Sequence, residues 1–185
     1  MASLPHNGQH GLKATRRALL TADRIKSILN LRPHPEEGGY FAETYRAGES
    51  ISLDALPARY EGARSISTCI YYLLTPDTFS AMHRLQSDEI FHFYLGDPIE
   101  MLQLWPDGSG KIVTLGSNIA EGMQLQTIVP RGVWQGCALR SGGEFGLLGT
   151  TVAPGFEYAD YETGSRERLA SQYPLYEKKI ELLTR

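Results

Sequence analysis

From Tyr40 to Phe156 the chain is a succession of short strand-like runs, among them "YFAETYR", "SISTCIYYLL", "FSAMHRL", "EIFHFYLG", "IEMLQLWP", "KIVTLG", "LQTIVP", "VWQGCAL" and "FGLLGTTVAPGF". Gly, Pro, Asp and Ser clusters separate them, and "PDGSG" and "SGGE" have the composition of hairpin loops. Helix-sized intervals do not alternate with the runs, so a parallel doubly wound sheet is excluded and a sandwich or barrel is expected. Helical patterns occur only at the ends. "TADRIKSILNL" offers Thr21 as an N-cap, with Ile25, Ile28 and Leu29 on one face and Pro33 blocking extension. "SRERLASQYPLYEKKIELLTR" offers Ser165 as a second N-cap, and Pro174 starts a further short piece.

A chain of 185 residues, 42% hydrophobic, can bury one core but not two, so residues 15–185 are expected to form a single domain preceded by a mobile polar segment, residues 1–14. The formal charge is -3 and the basic residues are scattered, so the expected partners do not include nucleic acid. No apolar run could span a bilayer, and the opening "MASLPHNGQHGLKATRRALL" lacks a long apolar stretch, so a soluble cytoplasmic protein is expected, without membrane partners. Cys69 and Cys137 lie in strand-like runs without metal-ligand spacing and are read as small buried hydrophobes.

The stretch "FSAMHRLQSDEIFHFYLGDPIE" carries the polar residues that most need an explanation. Strand alternation places His83 with Phe79, Ala81 and Leu85 on one face and Ser80, Met82 and Arg84 on the other. The same alternation groups Glu89 with Phe91 and Phe93, and turns His92 away with Ile90 and Tyr94 unless a bulge intervenes. A carboxylate on an apolar face costs several kcal/mol unless it is paired, bound or wet. Glu89 therefore faces a partner, a ligand, a metal or water; the simpler alternative is a solvated Glu89 at the strand mouth with His83 hydrogen-bonded in the core. In "IVPRGVWQGCAL", Val133, Gln135, Cys137 and Leu139 share a face, and Gln135 is its polar member. "HPEEGGYFAETYR" is unusually polar and aromatic, which suits an edge strand or a pocket wall.

Several of these motifs resemble the cupins, small jelly-roll (double-stranded β-helix) barrels. "DEIFHFYLG" matches the end of the first cupin motif, G-x5-H-x-H-x(3,4)-E-x6-G, through Glu89 and Gly96. "PRGVWQ" matches the second through Pro130 and Gly132, with Gln135 where a His is expected. "LRPHPEEGGYFAETYR", "HRLQSDEIFHFYLGDPIE" and "GTTVAPGFEYADYE" together resemble the single-domain cupin-5 family, a domain of unknown function similar in fold to the metal-free sugar-nucleotide epimerases. The resemblance implies an all-β jelly-roll barrel with short terminal helices, a homodimer and a pocket inside the barrel. A full cupin metal site uses three His and one Glu. Here His83 and Glu89 remain, the position two residues from His83 is Leu85 or Ala81, and Gln135 replaces the last His. No tight metal is expected; a weak divalent ion at His83 and Glu89 is the most this donor set suggests.

The expected function is binding of a small polar metabolite, sugar or nucleotide-like, with His83, Glu89 and Gln135 orienting it and Trp134, Tyr40, Tyr45, Phe91 and His92 completing the pocket. One alternative is a metal-free epimerase or isomerase with His83 and Glu89 as the catalytic base and Tyr45 or Tyr94 as the acid. A metal-dependent oxygenase or isomerase is the other.

Overall fold

The computed structural model describes residues 20–185, so the mobility expected of residues 1–14 lies outside the described residues. Two antiparallel sheets face each other. The first contains six strands in the order β1 (Arg32–Pro33), β2 (Tyr40–Arg46), β5 (Thr68–Leu74), β12 (Gly146–Ala153), β7 (Asp88–Gly96) and β10 (Gln126–Val129). The second contains five, in the order β13 (Tyr161–Thr163), β6 (Phe79–Leu85), β11 (Trp134–Leu139), β8 (Ile99–Leu104) and β9 (Gly110–Leu115). A separate hairpin pairs β3 (Ser50–Ile51) with β4 (Arg64–Ser65).

Between β5 and β13 the chain passes back and forth between the sheets, with the β8–β9 hairpin as the one interruption. This winding is the jelly-roll expected from the strand spacing. "PDGSG" is the turn of that hairpin, closed by the Trp105 amide donating to the Ser109 carbonyl at 2.8 Å. "SGGE" is not a hairpin. β6 and β8 occupy both edges of β11, so the chain leaving Leu139 crosses to the other sheet and enters β12 between β5 and β7.

The space between the sheets is filled by Tyr72, Leu74, Phe91, Phe93, Ile99, Met101, Leu115 and Leu148 at one end and by polar residues toward the other. Helix α1 (Ala22–Ile28), capped by Thr21, rests Ile25 on the outside of the six-stranded sheet with Leu73, Phe145 and Leu147. Helices α2 (Arg166–Gln172), capped by Ser165, and α3 (Glu177–Leu182) cover the outside of the five-stranded sheet, where Leu169, Tyr173, Ile180 and Leu183 meet Met82, Leu102, Leu104 and Trp134. No helix among the described residues is long and apolar enough to cross a membrane.

Strand parity holds from Glu89 to Phe93 in β7 and from Val133 through β11, with Phe91, Phe93, Val133 and Cys137 inward; a bulge at Tyr94 ends it in β7, so that Leu95 packs outside. Cys69, by contrast, is only half-buried, with its sulfur 3.4 Å from the Thr151 hydroxyl. Parity breaks in β6. Gln135 lies opposite His83 and Cys137 opposite Ser80, so Ala81 and Met82 together face the single residue Gly136. This β-bulge resets the alternation: Ser80 joins His83 on the inner side, whereas Phe79 packs with the C-terminal helices outside.

Candidate functional site

Register brings three buried polar residues into line across the inner face of the five-stranded sheet: His83 on β6, Gln135 on β11 and Gln103 on β8 are successive cross-strand partners. Glu89 reaches them from β7 in the opposing sheet. The Gln135 amide donates to its Oε2 at 2.6 Å, and Glu89 as a whole is 6% exposed. Tyr161 lies over the His83 ring, with centroids 4.9 Å apart and planes 22° from parallel. His83 Nε2, Gln103 Oε1, Gln135 Oε1 and the Tyr161 hydroxyl are all buried without a hydrogen-bond partner.

The tautomer of His83 follows from its other nitrogen. Nδ1 lies 2.7 Å from the Ala81 carbonyl. A carbonyl only accepts, so Nδ1 carries the proton and the neutral ring turns the lone pair of Nε2 inward. Burial pushes the His83 pKa below the ordinary histidine value, which keeps the ring neutral.

A residue absent from the sequence-derived set completes this floor. Glu37, in the loop before β2, places Oε1 3.7 Å from His83 Nε2 and 3.8 Å from His34 Nε2, and Ser80 donates to its Oε2 at 3.2 Å. The loop is held from several directions. Backbone amides of Glu36 and Glu37 donate to His34 Nδ1, Ala81 N–H donates to the Glu37 carbonyl, and the Tyr72 hydroxyl donates to the Gly38 carbonyl at 2.8 Å. Gly38 has φ +96°, and a Cβ there would lie 2.5 Å from the Phe79 carbonyl oxygen. Gly38→Ala is therefore expected to cost about 1–3 kcal/mol from backbone strain alone and to withdraw Glu37 from His83. Chemical denaturation, with the His83 ring resonances as a local reporter, checks both effects.

Burial raises the Glu37 pKa, and burial together with the like charge of Glu37 pushes Glu89 up to about 7. Two carboxyls with raised affinity for protons, beside a neutral imidazole whose lone pair is free, are equipped to accept hydrogen bonds and to exchange protons.

Above this floor opens a cavity of about 210 Å³. Glu37, Glu89, Leu85 and Thr150 form its deep end, and Phe41, Phe156 and Tyr158 line its walls. At its mouth Arg46 is engaged by Glu43 and Glu157, each at 2.8 Å, while the Arg32 guanidinium lies over the Phe41 ring.

Of the residues read from sequence as a site, Glu89 lines this cavity, with Gln135 bonded to it and His83 beside them. The others are placed elsewhere. Trp134 points outward, because its neighbour Gln135 points inward, and it carries the Arg84 guanidinium 4.5 Å above its ring. Tyr40 packs outside near α1 under Lys26, and Tyr45 is 54% exposed on the open part of β2. Phe91 is core packing. His92 faces outward, at hydrogen-bonding distance from Thr151 and Gln126 and stacked on Tyr94, so neither it nor Tyr94 reaches the cavity. The inward hydroxyl is Tyr161. His34, Glu37 and Tyr161 were missed although two of them lie in "LRPHPEEGGYF": a polar motif tight against Gly-Gly was the available signal.

The donor set does not fit the metal centre of a full cupin. Leu85 supplies a hydrocarbon wall, Gln135 spends its amide on Glu89, and His34 uses Nδ1 to accept two amide protons, which leaves the proton on Nε2. Among the described residues no group of three His, Cys, Asp or Glu side chains is arranged to hold a metal ion.

Residues 23–164 match the family model described as Cupin_5, cupin superfamily (DUF985). An uncharacterised protein of Saccharomyces cerevisiae is 32% identical over 133 residues, covering 68% of this chain and 66% of the yeast protein, just under two thirds of that relative's length. A solved structure of a hypothetical protein from Leishmania major is similar at TM-score 0.79 and 29% identity, covering 89% of this chain and 99% of that one. One of a Shewanella oneidensis protein is similar at TM-score 0.80 and 31% identity, covering 90% and 99%.

Proposed function

This chain belongs to the Cupin_5 (DUF985) family of the cupin superfamily, and from that premise we propose that it binds a small polar metabolite of sugar size in the barrel cavity, on Glu89, Glu37, His83 and Gln135. The observation that carries this reading is the pair of carboxyls lining the cavity, Glu37 and Glu89, backed by buried polar atoms without partners on His83 and Gln135. Leaving such groups unsatisfied costs roughly 1–3 kcal/mol each, and a hydroxyl-bearing ligand relieves that cost. The cavity volume of about 210 Å³ lies below the roughly 300–1,000 Å³ of pockets for drug-sized molecules, which favours a sugar over a whole nucleotide. The test is equilibrium dialysis against a small-molecule cell extract. A compound enriched by wild type and lost on Glu89→Leu supports the reading; an extract left unchanged by wild type opposes it.

A second reading is metal-free epimerisation or isomerisation. It is favoured by the free lone pair of His83 Nε2 as base and the unpartnered Tyr161 hydroxyl as acid. Solvent deuterium appearing at a carbon of the retained compound, and disappearing with His83→Gln, is the result it requires.

The chain is further proposed to form a homodimer through β2. β1 covers only Tyr40 and Phe41 of that strand, so the backbone from Ala42 to Arg46 has an open edge on that side. Sedimentation at micromolar concentration is expected to give twice the monomer mass, and Tyr45→Lys a monomer; wild type sedimenting as a monomer would end this proposal.

A further inference from the structure

The polar floor is unbalanced in its hydrogen-bonding capacity. His83 Nε2 only accepts, because the ring proton is committed to the Ala81 carbonyl. Gln135 has given an amide hydrogen to Glu89, and Gln103 directs its amide toward Ile128 O and Met101, so each leaves its carbonyl oxygen without a partner. The buried atoms without partners are thus three acceptors and one hydroxyl, that of Tyr161. The carboxyls of Glu37 and Glu89 add further acceptor oxygens from two directions. The aromatic wall already carries one cation, the Arg32 guanidinium 5.1 Å from the Phe41 ring centroid. At the mouth, by contrast, Arg46 is already neutralised by two carboxylates.

We infer that the ligand's buried end is an organic cation with N–H donors, an ammonium or guanidinium group, seated between Glu37 and Glu89 against the His83–Gln135–Gln103 row. The inference rests on the binding function proposed above and specifies the ligand class for that same site. A neutral polyol would satisfy acceptors too, but each hydroxyl also brings lone pairs that this floor has few donors to meet. A cation supplies donors alone. Between Glu37 and Glu89 it takes the place of the proton that these two close, buried carboxyls otherwise hold there. An anion meets the same carboxyls as repulsion.

Matched isosteres separate these cases. Guanidinium against urea, and methylammonium against methanol, are titrated into the full chain at low millimolar concentration and constant ionic strength, with the His83 and Tyr161 ring resonances as readout. Each cation is expected to bind at least tenfold more tightly than its neutral partner, and Glu89→Gln to reduce that ratio to near one while the fold is retained. Preference for the neutral member, or cations that leave both rings unperturbed, would overturn the inference. Stoichiometric binding of Mn, Ni or Zn would overturn it as well, since the acceptors would then serve a metal. If a neutral metabolite is retained in dialysis, this inference fails while the binding function stands; if nothing is retained and no probe perturbs the rings, both fail.

Discussion

Asp160→Ala is expected to destabilise the protein by about 3–5 kcal/mol, because it strands a buried arginine. Arg64 and Asp160 each have side chains only 4% exposed. They form a bidentate pair, Nε to Oδ2 at 2.7 Å and Nη2 to Oδ1 at 2.6 Å, and Arg64 Nη1 also donates to the Gly62 and Ala63 carbonyls. The pair joins β4 to the turn that precedes β13. That turn, Tyr158–Asp160, follows Phe156, contains Tyr158 of the cavity wall and leads into Tyr161. Loss of the carboxylate leaves the guanidinium charge buried, so both stability and the position of Tyr161 over His83 should suffer. Replacing both partners together, Arg64→Met with Asp160→Leu, is expected to cost much less than Asp160→Ala alone, since no charge is then stranded. Urea unfolding of the three variants checks this, and an Asp160→Ala loss within about 1 kcal/mol of zero would show the pair to be solvated.

Glu89→Gln should act in the opposite direction and stabilise the fold by about 3 kcal/mol at pH 8. The sign follows from linkage. The folded state holds the Glu89 proton up to about pH 7, whereas the unfolded chain releases it near the ordinary value of 4.5. Folded protein therefore binds more protons between these values, and wild-type stability from this group, present in acid, is lost as pH rises through that window. The substituted amide cannot ionise, yet it keeps an oxygen for the Gln135 amide. The buried histidines act at the other end: the lowered pKa of His34 and His83 favours the folded state above the ordinary histidine value and disfavours it as pH falls below. The difference between variant and wild type isolates Glu89. It should be near zero in acid and grow toward pH 7, and a difference that does not vary with pH would contradict the assignment. Such a cost, if the difference is found, is the pattern expected where a carboxylate is kept for function.

The strand succession carried the jelly-roll, and alternation placed Glu89, Gln135 and the outward His92 correctly on β7 and β11. Alternation fails in β6 because a bulge adds one residue opposite Gly136, a register feature set by the partner strand rather than by local sequence. The same kind of dependence hid the role of "SGGE": whether a turn makes a hairpin depends on which sheet edges are already filled. His34 and Glu37 sit in a segment of turn composition. They become site residues only because the fold brings that loop against Ser80 and His83. Trp134 and Tyr40 offer aromatic surface in the sequence, but the fold uses that surface for packing beneath helices and a lysine stem.

Native mass spectrometry of the protein as purified, without added chelator, tests the central claim most directly. A retained small organic molecule is expected, absent from Glu89→Leu, with no stoichiometric metal. A bare chain mass, or a stoichiometric divalent metal lost on changing His83 or Glu89 to Ala, would contradict it.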